Sequence, residues 1–308
     1  VLAGMVLVFD KKYLPGFVLT AIALALEISA SHPQMTYYLF FMGLIYGIIM
    51  GIDSIRNKQL PDFLKSTGLI LLAAILALGI NASSLLATKE YASESTRSKT
   101  ELTINPDGTE RERSTGLTKD YITEYSYGML ETFDLFIPRF MGGSNNEKLD
   151  KDSEIYSFLK DKAGRNQAME FAENAPMYWG EQPIVAAPAY LGAVVVFLFF
   201  LGIFLLKNNV KKWLVAATIF SILLSWGKNF AVLTDLFIDY VPLYNKFRAV
   251  SSIQVIAELA VPLLGILGLH ELFGKSINTA DKQKAIKWSL LITGGLALFV
   301  FCFGSGLF

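Results

Sequence analysis

Seven long apolar runs limit what this chain can fold into more than any other feature of its sequence. Each lacks a cluster of charges, and they occupy residues 15–30, 35–52, 64–86, 185–206, 213–226, 253–273 and 286–308. Hydrophobic residues make up 53% of the 308 residues and charged residues 18%, with a mean hydropathy of +0.44. Average globular domains are far less apolar, so the sequence predicts an all-α polytopic transmembrane protein with about seven membrane helices.

The first nine residues predict one more, truncated helix. They are apolar, begin without an initiator Met or a charged leader, and are too short to cross a bilayer. We therefore expect the end of a helix cut in half and an internal fragment of a longer protein. Cys302 is the one cysteine, so no disulfide within the chain is possible; we expect it to be buried as a small apolar residue.

The middle of the chain is much more polar. Residues 88–184 contain 12 of the 27 basic and 18 of the 27 acidic residues. This predicts a water-exposed insert of about 95 residues with mixed or irregular structure. The chain then divides into membrane helices over 1–87, the insert over 88–184 and membrane helices over 185–308.

Basic residues in the short loops predict the orientation, because Lys and Arg resist translocation. Alternate loops form two sets, one with 12 basic residues and the other with 3. The larger set comprises Lys11, Lys12, Arg56, Lys58, Lys65, Lys207, Lys211, Lys212, Lys275, Lys282, Lys284 and Lys287, and the smaller set Lys228, Lys246 and Arg248. We expect the larger set in the cytoplasm, which places the insert, the Ser31 turn and residues 227–250 together outside it.

The net charge of the chain and the lengths of two apolar runs lead to two further expectations. The 27 basic and 27 acidic residues cancel, so no nucleic-acid partner is expected. Runs 15–30 and 213–226 are shorter than a membrane core of ~30 Å requires, which predicts non-helical backbone and a dented outer face.

Two helix starts carry candidate binding residues. Ser31 and Gln34 have the spacing of a helix cap, with Pro33 in the first turn, and leave His32, Tyr37 and Tyr38 unexplained. Tyrosines are naturally found at the membrane interface, which explains Tyr37 and Tyr38 without a functional role. Ser251 and Gln254 repeat the capping signal directly after Lys246 and Arg248. Two cations at a helix N-terminus predict a phosphate or pyrophosphate site, although snorkelling towards lipid headgroups explains them too.

Four acidic residues are candidates for catalysis. Glu27 and Glu258 lie within apolar runs, where a carboxylate tends to face a cavity or a partner. A structural carboxylate pair, or a protonated carboxyl group near the interface, explains them equally well. Asp235 and Asp239 have helical spacing and could be a metal pair, a general base or the wet face of an interfacial helix. The sequence shows no Cys/His spacing typical of a metal site, so no metal ligands are assigned, although a divalent metal is not excluded.

Three segments of the insert have local signals. Residues 130–138 read as a short amphipathic helix on the membrane surface, followed by a turn at 138–143. Residues 105–108 read as a surface turn. Residues 178–183, Tyr-Trp-Gly-Glu-Gln-Pro, form a polar and aromatic loop at the mouth of an apolar run.

Four segments in this order resemble the bacterial YfhO family of multi-pass membrane proteins. They are His32–Gln34 with Tyr37 and Tyr38; Phe136–Gly143; Tyr178–Pro183 leading to Ala189–Gly192; and Pro242–Arg248. The resemblance covers nearly the whole chain, although members of the family are much longer. It implies a likeness to the GT-C class of glycosyltransferases, which transfer a sugar from a polyprenyl phosphate outside the cytoplasm, as in the decoration of cell-wall polymers.

The resemblance implies a protein of the bacterial cytoplasmic membrane with a lipid-linked sugar as donor and an envelope polymer or glycolipid as acceptor. Its acidic catalytic residue would lie in an outer loop upstream of residue 1. Substrate contacts are expected from His32, Gln34, Tyr37, Tyr38, Trp179, Glu181, Gln182, Tyr244, Asn245, Lys246, Arg248 and Ser251. Alternatives are a transporter or flippase of lipid-linked precursors, with Glu27 and Glu258 as gating or proton-coupling groups, and a non-catalytic envelope assembly protein.

Overall fold

All seven apolar runs contain a helix in the computed structural model, which describes residues 1–98, 104, 108–109, 116–186 and 188–304. The α-helices are α1 Leu2–Phe9, α2 Tyr13–Ser29, α3 Pro33–Arg56, α4 Leu60–Ile80, α5 Ala82–Ser93, α6 Lys119–Thr123, α7 Glu154–Ala163, α8 Arg165–Asn174, α9 Ala193–Leu205, α10 Asn209–Ser225, α11 Ala231–Tyr240, α12 Val255–Phe273 and α13 Thr279–Phe303. Short 3₁₀ helices occupy Leu130–Leu135, Gly227–Phe230, Tyr244–Lys246 and Val250–Gln254. The predicted turn at 105–108 falls mostly outside the described residues.

Four helices are long and apolar enough to cross a membrane: α3, α4, α12 with its preceding 3₁₀ turn, and α13. A fifth span exists if α10 and the bent segment Gly227–Tyr240 count as one. Helices α2 and α9 are apolar but shorter. Large apolar side chains face outwards, as at Leu72, Leu290 and Phe301, which are 47%, 56% and 86% exposed. These features indicate a membrane protein.

Close helix contacts at glycine hold α9 against α12. A Cβ added to Gly202 would lie 2.4 Å from the Leu264 carbonyl oxygen, and one added to Gly268 would lie 2.6 Å from Gly202 Cα. The two helix backbones therefore approach more closely than a side chain at either glycine position would allow. Such close approach is typical of helix pairs in membranes. Trp213, 2% exposed, joins α10 to α3 by donating from Nε1 to the Met42 carbonyl at 2.8 Å.

The helix ends gather at two opposite ends of the bundle. At the insert end, the end of α10 and the starts of α9 and α12 contact the insert, and the start of α3 contacts the loop before α12. At the other end, Asn209 contacts Met50, Lys211 donates to the Ile203 carbonyl, and Lys282 donates to the Gly274 carbonyl. The larger set of basic residues lies in the loops and helix ends of this second end, which we call the basic end.

Both predicted capping boxes are wrong. Helix α3 begins at Pro33 with His32 as the N-cap, and Ser31 has a φ of 56°. Helix α12 begins only at Val255, because Ser251 belongs to a 3₁₀ turn. In both cases the glutamine side chain hydrogen-bonds to a distant part of the chain. These tertiary hydrogen bonds replace the local cap.

Three further expectations are corrected. Run 185–206 is helical only from Ala193, since Gly192 has a φ of 103° and donates to the Leu135 carbonyl. Segment 130–138 is not a surface helix, because Glu131 and Asp134 are 0% and 1% exposed. Cys302 is exposed, not buried.

The contact between α9 and α12 yields a stability prediction. Gly202→Ala should destabilise the protein by about 1–3 kcal/mol, because the new methyl group overlaps the Leu264 carbonyl. Thermal unfolding in detergent measures the loss. Gly294→Ala is the matched control: its Cβ meets nothing within 4 Å, so the better helix propensity of Ala should leave stability equal or higher. Equal losses in both variants would contradict this packing.

Candidate functional site

Segment 125–127 of the insert, which we call the clasp, binds two helix ends at once. The Tyr127 N–H donates to the Ser225 carbonyl at 2.9 Å, where α10 ends. The Tyr125 carbonyl accepts from the Ser251 N–H at 3.1 Å, just before α12. Free backbone groups at a broken helix need partners, and the clasp supplies them.

The clasp also requires the glycine at the break. Ser126 is fully buried, and its Oγ accepts from the Lys228 N–H at 2.9 Å. Gly227 has a φ of 49°, and a Cβ there would lie 2.1 Å from Ser126 Oγ. The segment Gly227–Tyr240, which starts at this glycine and contains α11, is bent by 108° from α10.

Lys246 and Arg248, which the sequence predicts as phosphate ligands, lie beside a third cation, Arg97. The sequence did not identify Arg97. Lys246 Nζ donates to the Arg97 carbonyl at 2.7 Å, and Arg97 donates back to the Lys246 carbonyl. Arg248 donates to the Tyr121 hydroxyl at 2.7 Å and lies 5.2 Å from the centre of that ring. Among the described residues, Arg97 and Arg248 have only neutral hydrogen-bond partners, so these contacts leave their charge uncompensated. We call Arg97, Lys246 and Arg248 the cation cluster.

Strained backbone flanks the loop that carries two of these cations. Leu243 and Ala249 have φ values of 68° and 58°, a left-handed conformation that costs a residue with a side chain roughly 1–2 kcal/mol. Such strain persists where the surroundings impose it and is enriched at functional sites. The Asn245 carbonyl accepts from the Leu117 N–H at 3.0 Å, which fixes the loop to the insert.

Helix α3 supports the same loop with its first two turns. Gln34 Nε2 donates to the Arg248 carbonyl and to the Tyr38 hydroxyl, both at 2.7 Å. The Tyr37 hydroxyl donates to the Pro242 carbonyl at 2.6 Å. The structure thus brings Gln34, Tyr37 and Tyr38 to the loop, where they act as supports.

The other predicted residues near this loop differ in exposure. His32 is exposed at the start of α3. Tyr244 is buried, at 4% exposed, and this burial raises the pKa of its phenol. Ser251 uses its backbone N–H in the clasp, so that N–H is not available to an anion.

A buried carboxylate, Glu131, organises the Trp179 loop. It is fully buried and accepts from the Tyr178 hydroxyl, the Gly128 N–H and, at 3.2 Å, the Glu181 N–H. Burial raises the pKa of the Tyr178 phenol, which keeps this donor protonated. Sequence reasoning missed Glu131.

The Trp179 loop presents its indole to the outside. Trp179 is 60% exposed, while its backbone N–H donates to the Met141 carbonyl at 2.9 Å. Gln182 Nε2 contacts the Tyr178 hydroxyl at 3.4 Å. The Glu181 carboxylate accepts from Asn229 Nδ2 at 2.8 Å, which ties the loop to the α10–α11 break. A rigid loop with an exposed aromatic face results.

Asp134 is a second buried carboxyl group that the sequence did not reveal. Its Oδ1 accepts from the Met141 N–H at 3.0 Å, and its Oδ2 has no hydrogen-bond partner in the described part of the chain. Burial raises the pKa of Asp134 to about 6, against hydrogen bonds that lower it. The nearby Tyr127 phenol is also buried without a partner there, and burial followed by the charge of Asp134 raises its pKa.

The four acidic candidates are dispersed over the bundle. Glu27 accepts from Thr36 Oγ1 at 3.0 Å and so connects α2 to α3. Asp235 pairs with Lys119 at 2.6 Å and connects α11 to the insert. Asp239 and Glu258 are exposed. Within the described residues, no group of three or more His, Cys, Asp or Glu side chains could hold a metal ion.

Fold and site together define a helical membrane protein whose polar insert is fixed to one end of the bundle. Comparison with protein-family models, curated proteins and solved structures finds no match to this chain.

The hydrogen bonds of Glu131 predict that replacing one carboxylate oxygen by an amide nitrogen lowers the stability of the protein strongly. Glu131→Gln should lower stability by roughly 2–4 kcal/mol, because an NH₂ group would face hydrogen-bond donors in a buried site. Thermal unfolding measures the loss, and limited proteolysis reports whether the Trp179 loop loosens.

Glu147→Gln is the matched control in the same insert. Its ion pair with Arg139 is largely exposed on the arginine side, and such pairs contribute about 0–1 kcal/mol. Similar losses in the two variants would show that Glu131 does not organise the loop.

The raised pKa of Asp134 predicts that the stability of the protein depends on pH. Its pKa is about 6 in the folded protein and 3.8 in a model compound, so the folded state holds more protons between these values and stability falls as pH rises. Asp134→Asn keeps the acceptor for Met141 and removes the titration. The variant should unfold at a higher temperature than wild type at pH 7, with the difference vanishing below about pH 4. A difference that is constant with pH would contradict this reading.

Proposed function

We propose that this chain belongs to a membrane glycosyltransferase-like protein that binds a polyprenyl-phosphate-linked sugar at its extracytoplasmic face and passes the sugar to an envelope polymer or glycolipid. The cation cluster at the insert end of the bundle carries the proposal. Resemblance to the bacterial YfhO family over residues 32–38, 136–143, 178–192 and 242–248 supports it.

The cation cluster suits a phosphate or pyrophosphate. Arginine matches phosphate oxygens with a planar pair of donors, and lysine adds a compact charge. Because the Ser251 N–H is engaged by the clasp, side chains and not a helix end hold the anion in this proposal. Gln34 and Tyr37 keep the loop in place by their bonds to backbone carbonyls.

An apolar groove offers a place for the polyprenyl chain. It has a volume of about 690 Å³ and lies among α1–α4, bordered along α3 from Thr36 to Ile55. Twenty residues of helix extend about 30 Å, the thickness of the membrane core. The same helix bonds the Arg248 carbonyl through Gln34, so the groove begins near the cation cluster.

The Trp179 loop is proposed to hold the sugar. Aromatic faces suit the apolar faces of sugar rings, and an indole adds one N–H donor. Glu181 and Gln182 offer polar atoms for hydroxyl groups beside it. These groups bind and orient substrate; none of them is assigned as the catalytic base.

Membrane orientation follows from the basic residues. The larger set lies at the basic end, which the proposal places in the cytoplasm of a bacterium. The insert then faces outwards, where sugar transfer from polyprenyl phosphates takes place.

Substitution of the cations tests the phosphate assignment. In the purified protein, Arg97→Gln, Lys246→Gln and Arg248→Gln should each weaken binding of a polyprenyl-phosphate sugar by about tenfold or more, because each removes a charged hydrogen bond. Lys228→Gln removes a cation from the same end outside the cluster and is the control. Full binding in the triple variant would overturn the assignment.

Trp179→Ala separates sugar recognition from phosphate recognition. It should weaken binding of the sugar-bearing lipid roughly tenfold, the scale of one lost aromatic contact, and leave binding of the same polyprenyl phosphate without sugar unchanged. Equal losses for both lipids would place Trp179 outside the sugar site.

A further inference from the structure

A small cavity lies at the basic end, far from the insert. It has a volume of about 170 Å³ and lies between the end of α9, the loop before α13 and the first turns of α13. Its lining combines cationic and aromatic side chains with one acid: Phe204, Lys207, Ile277, Asp281, Lys284 and Trp288. This volume equals about six waters in the liquid, which is enough for a phosphate group.

The charge of this cavity favours an anion. In the described part of the chain, the exposed side chains of Lys207 and Lys284 have neither a hydrogen bond nor an ion pair. Asp281, the acid in the lining, is engaged at the cap of α13: Asn278 Nδ2 donates to its Oδ2 at 3.0 Å, and its N–H donates to Asn278 Oδ1 at 2.8 Å. The lining therefore has two cations against one anion, and in the described part of the chain neither ammonium group is paired with the Asp281 carboxylate.

The neighbouring polar groups are occupied by one another. Lys282 Nζ donates to the Gly274 carbonyl at 2.6 Å, and Lys211 Nζ donates to the Ile203 carbonyl at 3.3 Å. Glu271 accepts from the Ser276 hydroxyl at 2.6 Å. These contacts fix the walls, and Lys207 and Lys284 are the basic residues of the lining that a ligand would contact.

The apolar part of the lining points to a lipid. Trp288 and Phe204 are 50% and 39% exposed. Phe204 lies at the end of the apolar helix α9 and Trp288 near the start of α13, which is long and apolar enough to span a membrane. Trp is typical of the membrane interface, and basic pockets between membrane helices bind anionic headgroups. A free anion would use the lysines but not these aromatic faces.

We propose that this cavity binds the phosphate of an anionic membrane phospholipid. Lys207 and Lys284 contact the phosphate oxygens, and the acyl chains run over Phe204 and Trp288 into the bilayer. The bound lipid would connect α9 to α13. This site is independent of the sugar-binding function proposed for the insert end.

Quenching of Trp288 by brominated lipid tests the site. The purified protein is placed in phosphatidylcholine vesicles in which dibrominated phosphatidylglycerol or dibrominated phosphatidylcholine replaces a rising share of the lipid. The Trp288 signal is the difference between wild type and Trp288→Phe. We expect Trp288 to prefer phosphatidylglycerol, by about fivefold for each lysine that meets the headgroup.

Two variants and one competitor complete the test. Lys207→Gln/Lys284→Gln should abolish the preference, whereas the control Lys12→Gln/Arg56→Gln, which removes two charges from the same end outside the cavity, should keep it. Equal quenching by both lipids in wild type, or an unchanged preference in the Lys207/Lys284 variant, would overturn the proposal. Loss of the preference on adding inorganic phosphate would show that the cavity takes free phosphate and would overturn the lipid assignment.

Discussion

The clasp at residues 125–127 connects the insert to the bundle, and the rest of the site depends on it. Helix α10 ends at Ser225, and the chain bends by 108° into α11. Such a break leaves backbone groups without partners, which is tolerated at a membrane only where protein or water satisfies them. The insert satisfies them with its own backbone and with the buried Ser126 hydroxyl. One set of hydrogen bonds thereby fixes the bend, the approach to α12 and the position of the insert.

The helices were predictable because apolar periodicity and length dominate their formation. Each apolar run contains a helix, and the expected gathering of the Ser31 turn, residues 227–250 and the insert at one end is seen in their contacts. Helix starts were less predictable. The S-x-x-Q pattern at Ser251 is local, but the Ser251 N–H bonds Tyr125 and Gln254 bonds Ser225. Residues far apart in the sequence decide these contacts, so a local pattern cannot reveal them.

The candidate site was predictable where charge and aromatic residues mark it, at Lys246, Arg248 and Trp179. Arg97 gave no signal, because it lies among many charged residues of the insert. Glu131 and Asp134 were misread since acids in a short amphipathic segment usually face water. Their three-residue spacing places both on one side of a helix, but the sequence does not show that this side faces the Trp179 loop. Buried acids that bind loops are visible only once the loops are in place.

Photochemical labelling by a polyprenyl-phosphate sugar tests the central claim most directly. A photoreactive group on the sugar, with peptide mapping of the purified protein in a bilayer, identifies the residues that lie beside the donor. We predict labels on the Trp179 loop and on residues 244–248, and competition by unlabelled donor. Labels confined to the basic end, or labelling that unlabelled donor does not reduce, would contradict a sugar-donor site at the insert end.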